Sequence, residues 1–141
     1  MVVPVDEAGK LVLVKQFRYL WQRESIEFPA GGIKDPDPFV TARNELAEEA
    51  NIGAAVWKFV GEYNPYNGAT DEVAKVFFAS GLANSIREKD ASEEFEVLKM
   101  EISEFQTAIE AGVIWDGMTL AAWMIARPTV LEYLANVKLR K

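Results

Sequence analysis

The chain of 141 residues carries 22 Asp and Glu against 15 Lys and Arg and has no histidine, giving a formal net charge of -7. That balance argues against a nucleic-acid backbone or an anionic membrane as the main partner, and the absence of cysteine excludes disulfides and thiolate chemistry and fits a cytoplasmic setting. With 50% hydrophobic and 26% charged residues, and with no leader-like segment, bilayer-length apolar run or internal repeat, residues 1–141 read as one domain able to bury a real core.

In chain order, Val2 to Val5 and Leu11 to Phe17 are apolar, β-branched runs around the turn Asp6-Glu7-Ala8-Gly9, a pattern that predicts a hairpin. Ser25 to Phe28 is a short strand delivering the chain to Gly31-Gly32. Pro36 and Pro38 suit the start of a helix and forbid its interior, so a helix is expected from Asp37 or Pro38 to about Ala50. Its buried face carries Phe39, Leu46 and Ala50. Strands are expected at Val56 to Tyr63, at Glu72 to Ala79 after the turn signal Asn64-Pro65-Tyr66-Asn67-Gly68, and at Phe95 to Ile102 after the charged stretch Lys89 to Glu94. Ser103-x-x-Gln106 has the form of a capping box for a helix closing at Gly112. A last helical segment from Met118 toward Val137 is expected to break at Pro128. Strands before and after a helix, with helices last, predict an α/β fold in which helices cover a mixed sheet on both faces.

The stretch whose spacing calls for chemistry runs from Pro29 to Ile52. On its helix Glu45, Glu48 and Glu49 stand at i, i+3 and i+4, which places three carboxylates within about one third of the circumference. Such a cluster needs a cation to offset its repulsion, or water to screen it. Hard divalent ions such as Mg²⁺ take oxygen ligands and commonly bind through a few carboxylates plus substrate phosphates; the alternative is a solvated acidic face. Gly31-Gly32 lies just before the helix, where a backbone can pass close to an oxyanion.

The run Gly31 to Ile52 resembles the Nudix box, G-x5-E-x7-R-E-U-x-E-E-x-G-U with U aliphatic. Glu45, Glu48 and Glu49 match its metal-binding glutamates and Leu46 and Ile52 its aliphatic positions. The chain is one residue short between the glycine and the helix, with Asp37 or Pro36 in place of the isolated box glutamate. Asn44 stands where the family has arginine, and Asn51 where it has glycine. Leu11 to Arg18, Ile26 to Gly31, Asp71-Glu-Val73 and Glu93-Glu-Phe-Glu-Val97 are similar to the ADP-ribose and nucleoside diphosphate sugar pyrophosphatase branch of the Nudix hydrolases. The resemblance implies the Nudix α/β/α sandwich and hydrolysis of the pyrophosphate bond of a nucleoside diphosphate linked to another moiety, with ADP-ribose giving AMP and ribose 5-phosphate as the leading candidate. It implies Mg²⁺, or alternatively Mn²⁺, held by Glu45, Glu48, Glu49 and the carbonyl of Ala30, with Glu48 and Glu49 catalytic and Glu93 or Glu94 helping to activate water. That branch usually carries an additional N-terminal segment for dimer formation and for stacking on the adenine, and the sequence begins directly at the first catalytic strand. A homodimer is therefore left open, and Trp21 is the nearest substitute for the stacking role.

For several of these residues two readings stand. Arg18 could clamp a phosphate or a terminal ribose, or form a surface ion pair. Glu27 could bind ribose hydroxyls or a group behind the substrate, or be only a polar strand residue, and Gly31 is expected to bind substrate. Trp21 could stack on a base or pack as core or lid. Trp57, Trp115 and Trp123 read as core or interface, and Asp116 as solvated. The rival functions are a Nudix hydrolase of a nucleoside triphosphate, a dinucleoside polyphosphate or GDP-mannose, or a nucleotide-binding module with weak turnover.

Overall fold

A computed structural model describes residues 1–33, 35–85 and 95–139. In order the elements are β1 (Val2–Pro4), β2 (Leu11–Arg18), a short 3-10 turn (Tyr19–Trp21), β3 (Arg23–Glu27), α1 (Pro38–Ala50), β4 (Ile52–Tyr63), β5 (Ala74–Asn84), β6 (Glu96–Met100), α2 (Ile102–Glu110) and α3 (Gly117–Lys138). The strands form two three-stranded sheets, β1-β5-β4 and β3-β2-β6. The first is mixed, with β1 parallel and β4 antiparallel to β5, and the second is antiparallel.

Side chains alternate across a strand, and here both faces are covered. Val2, Val14, Phe77 and Ala79 pack with Ala42, Leu46 and Ala50 of α1. Their strand neighbours Val3, Leu13, Val76 and Phe78 point the other way, onto Phe105 of α2 and Ala122, Trp123, Ala126 and Val130 of α3. That is why Val2-Val3, Leu11 to Val14 and Phe77-Phe78 are unbroken apolar runs instead of alternating ones. The α/β architecture with helices on both faces is as the sequence predicts; its strands are divided between two sheets.

The predicted hairpin of β1 and β2 does not form. The turn is present: Asp6 Oδ1 accepts the backbone N–H groups of Ala8 and Lys10, both at 3.0 Å, and Gly9 takes φ of 85°. Beyond one antiparallel bridge, Val5 to Leu11, the strands part, because β1 is drawn into parallel pairing with β5 and β2 joins the other sheet. Other boundaries also move, with β3 beginning at Arg23 and β5 at Ala74. β4 begins at Ile52, β5 runs on to Asn84, and β6 ends at Met100. The capping box of α2 is Glu101 with Glu104, two residues earlier than the Ser103 pattern. α3 continues through Pro128. Pro128 lies on the exposed face of α3, as does Met124, four residues earlier, so the gap in the helical ladder falls on the side of α3 turned away from the core. Trp123 is core, and Trp57 packs edge-on against Phe39.

Asp6 ties the turn to the second sheet through Lys99, whose ammonium donates to Oδ2 at 3.1 Å. Burial pushes the Asp6 carboxyl up, but the backbone bond from Lys10, the Lys99 ammonium and the Ala8 bond outweigh it and hold the group below its usual range. A depressed folded pKa gives stability that is present above the unfolded value and lost as pH falls through the folded one. Asp6→Ala is expected to cost about 2 kcal/mol at pH 7, from three lost hydrogen bonds, and this cost should shrink as the pH is lowered below about 4. Urea unfolding of both proteins across that range checks it; a pH-independent difference would contradict the assignment.

Candidate active site

α1 is bounded by local chemistry. The Asp37 side chain accepts the Phe39 N–H at 2.9 Å, Pro38 takes the first helical position, and Asn51 ends the helix in the left-handed region with its N–H to the Ala47 carbonyl. Along it Thr41, Glu45 and Glu49 follow at four-residue steps and share one buried line beside Ala42, Leu46 and Ala50. Glu45 is 9% and Glu49 6% exposed, so the reading of a solvated acidic face fails for both. Glu48 is half-buried, and all three glutamates engage partners. Arg43 points outward over the Phe39 ring, so it does not take the place of the arginine that Asn44 replaces.

The carboxylates meet the loop that leaves β3. That loop is pinned from three directions. The Phe28 N–H donates to Thr119 Oγ1 of α3 at 3.2 Å, the Pro29 carbonyl accepts from the Val2 N–H at 2.9 Å, and the Ala30 N–H donates to Glu49 Oε2 at 3.0 Å. One residue on, Gly31 lies so close to Glu45 that a Cβ there would stand 2.1 Å from its carboxylate, whereas Gly32 faces open space. Only glycine permits that approach.

The second sheet contributes a cation. Gln16 and Arg18 follow Val14 at two-residue steps on one face of β2, and Val14 is the register partner of Glu27. Both side chains reach Glu27. Arg18 Nε donates to Oε1 at 2.7 Å, one Arg18 Nη pairs with Oε2, and Gln16 Nε2 donates to Oε2 at 3.3 Å. Glu27 is buried and Arg18 half-exposed. The Glu27 hydrogen bonds push the Arg18 guanidinium further up; burial, the next effect in size, opposes them, and the charges of Glu27, Asp116 and Glu49 add to the rise. Asp116, read from sequence as solvated, caps α3 by accepting the Thr119 N–H at 2.7 Å and turns into the same cleft.

The cleft has a volume of about 390 Å³, within the usual range for small-molecule sites. Of the residues singled out from sequence, it brings Arg18, Glu27, Ala30, Gly31 and Glu45 together on its wall. Glu49 lies behind Ala30, Glu48 is off the wall, and Trp21 stands outside on the protein surface. Glu93 and Glu94 lie outside the described residues. The wall also carries Thr41, Lys75 and Asp116, which sequence reasoning missed. For Thr41 a signal existed, since it stands one turn before Glu45 on the same face. Its Oγ1 is buried with no hydrogen-bond partner among the described residues.

Among the described residues no three acidic side chains converge tightly enough to cage an ion by themselves. The donor type nevertheless fits a hard divalent cation, which takes a few carboxylates and completes its shell with water and substrate oxygens. Two buried carboxylates against a backbone loop, at a cleft that also holds a guanidinium, form such a partial set.

The NUDIX domain family matches residues 1–121. The chain belongs to this family. It is 32% identical over 124 residues to the ADP-ribose pyrophosphatase of Bacillus subtilis, covering 86% of this chain and 67% of that protein. To the ADP-ribose pyrophosphatase of Mycobacterium tuberculosis it is 32% identical over 83 residues, covering 57% of this chain and 40% of that one. A solved ADP compounds hydrolase superposes with a TM-score of 0.83 at 18% identity, covering 94% of this chain and 72% of its own. That likeness is one of fold, and it agrees with the Nudix α/β/α arrangement described above.

For a NUDIX chain, the glycine before the helix and the first glutamate on its buried line are here a single contact. Gly31→Ala must displace the Glu45 carboxylate, and because that side chain is flexible the penalty falls on the site more than on the fold. The expected outcome is at least a tenfold loss of Mn²⁺ affinity, on the order of the effect of disturbing a group that orients a ligand. Gly32→Ala should leave affinity unchanged. Titration of Mn²⁺ by electron paramagnetic resonance decides it, and equal affinities in the two variants would sink the idea.

Proposed function

We propose that this chain, a Nudix pyrophosphohydrolase by family and relatives, hydrolyses the pyrophosphate bond of a nucleoside diphosphate linked to a second moiety, with ADP-ribose as the leading substrate and AMP and ribose 5-phosphate as products. The observation that carries this reading is the pair of nine-tenths-buried carboxylates, Glu45 and Glu49, against the Ala30–Gly31 backbone beside the paired Arg18 guanidinium. Burying such groups costs several kcal/mol each, of order, unless a counter-charge or hydrogen bonds offset it. A site for an anion bridged by a cation explains that expense.

In this reading Glu45, Glu48 and Glu49 with the Ala30 carbonyl hold Mg²⁺, Mn²⁺ being the alternative. A bound divalent ion supplies charge neutralisation for the diphosphate and lowers the pKa of bound water. Arg18 has committed Nε and one Nη to Glu27, which leaves its other Nη to donate to a phosphate oxygen. In this reading Glu27 positions Arg18, and contact with ribose hydroxyls through its remaining lone pair is the alternative. Water attacks one phosphorus, the P–O bond to the bridging oxygen breaks, and the proton of the water goes to a carboxylate, since no histidine is available. Glu48 and Glu49 are the candidates for that proton among the described residues, and Glu93 or Glu94 the sequence-based ones. The reading takes residues 1–141 as one catalytic unit and a cytoplasmic setting; no described helix is long and apolar enough to cross a membrane.

Incubation with ADP-ribose and Mg²⁺ should yield AMP and ribose 5-phosphate, and chelation should abolish turnover. Glu49→Gln keeps an acceptor for the Ala30 N–H yet loses the charge, so kcat is expected to fall by at least about two orders of magnitude. Wild-type kcat in that variant at saturating Mg²⁺ would overturn the assignment. A panel with GDP-mannose, nucleoside triphosphates and dinucleoside polyphosphates separates substrates within the family.

A further inference from the structure

Buried polar groups in a folded protein are nearly always hydrogen-bonded, so an exception calls for a cause. Among the described residues three buried side-chain atoms have no hydrogen-bond partner: Ser25 Oγ, Thr41 Oγ1 and Asn51 Oδ1. Of these three residues only Thr41 lies on the wall of the cleft. It is 7% exposed, stands four residues before Glu45 on the buried line of α1, and borders the cleft with Pro38, Ala42 and Glu45.

A threonine within a helix can return its hydroxyl to the carbonyl three or four residues earlier. Thr41 makes no such bond. The backbone donors before it are committed: the Phe39 N–H goes to the Asp37 side chain at 2.9 Å, the Val40 N–H goes to the Asp37 carbonyl at 3.1 Å, and Pro38 has none. The Thr41 hydroxyl is therefore the donor in this first turn that no described group takes up. It sits at the positive pole of the α1 dipole, which favours an anion. Glu45, one turn on, is itself anionic and meets a phosphate only through a cation; a hydroxyl can donate to a phosphate oxygen directly. A single χ1 step of a threonine exchanges hydroxyl and methyl with almost no change of shape, and helical threonines populate two such wells. The wall at Thr41 can thus turn either group to the cleft.

We propose that Thr41 is a phosphate-binding residue, its hydroxyl donating to an oxygen of a diphosphate held in the cleft. The proposal rests on the diphosphate reading of the cleft given above. It also separates itself from a structural role. Removing a buried hydroxyl that has no partner relieves its desolvation, so the ligand-free protein stays as stable or gains stability. The same removal takes a hydrogen bond to a charged oxygen, the stronger kind, from the bound ligand. Stability and affinity then move in opposite directions.

The experiment compares the wild type with Thr41→Val, which keeps the branched shape without the hydroxyl, and Thr41→Ser, which keeps the hydroxyl. Each is melted without ligand, titrated with Mn²⁺ alone by electron paramagnetic resonance, and titrated with ADP in the presence of Mg²⁺ by calorimetry. Thr41→Val should melt at or above the wild-type temperature, bind Mn²⁺ within about twofold of wild type, and bind ADP at least about tenfold more weakly, as loss of a hydrogen bond to a charged group predicts. Thr41→Ser should recover ADP affinity to within about threefold of wild type. Unchanged ADP affinity in Thr41→Val overturns the proposal. So does a lower melting temperature in Thr41→Val, which would make the hydroxyl a structural bond, and so does an equal loss of Mn²⁺ affinity, which would make Glu45 the group disturbed. A wild type that binds Mn²⁺ but not ADP would overturn the diphosphate reading itself, and Thr41 with it.

Discussion

Everything in this molecule that bears on chemistry depends on one contact, the burial of two α1 carboxylates against the loop leaving β3. Glu49 accepts the Ala30 N–H, and Glu45 lies against Gly31 with no room for a side chain between them. Charged groups on one buried line of a helix repel each other and forfeit hydration, each of which disfavours folding. The fold tolerates them because α1 brings a strong apolar line beside them, through Ala42, Leu46 and Ala50, and because the loop is tied to β1 and α3 as well as to α1. Stability is therefore supplied by the neighbours of the carboxylates and not by the carboxylates themselves.

The same logic extends to the second sheet. Glu27 is a third buried carboxylate, and its counter-charge is Arg18, reached by two-residue steps along β2 from its register partner. A buried ion pair contributes little net stability but is costly to break from one side. Its effect here is directional: it fixes the plane of a guanidinium at the cleft wall and leaves an Nη for a ligand. Asp116 adds a further charge at the same wall through a helix cap. The cleft thus sets a positive group against negative ones across a short span, an arrangement suited to an anion bridged by a metal ion.

Much of this was legible in the sequence where the determinants are local. The limits of α1 follow from Asp37, Pro38 and Asn51, and the family resemblance of Gly31 to Ile52 is borne out by the match over residues 1–121. What was not legible depends on partner choice at a distance. Val2 to Val5 has the pattern of a hairpin arm, and only the presence of β5 tells it to pair elsewhere. The burial of Glu45 and Glu49 could not be separated from a solvated acidic face by spacing, since i, i+3 and i+4 says which side chains are neighbours and not what they face. The pairing of Arg18 with Glu27 needed the β2–β3 register, and the tilted contact between Trp115 and Trp21 brings together residues far apart in the chain. α3 runs through Pro128, and the side of a helix on which a proline falls is set by packing that the sequence pattern does not show.

The most direct test of the central claim is the thermal stability of the protein with and without Mg²⁺, compared with the double variant Glu45→Gln, Glu49→Gln. If the buried carboxylates exist to hold a cation, a ligand that binds only the folded state stabilises the wild type by about 2.7 kcal/mol at a hundred times its dissociation constant. Tm should then rise with Mg²⁺ in the wild type and stay flat in the double variant. A wild-type Tm indifferent to Mg²⁺, or a rise preserved when both carboxylates are gone, would contradict the account.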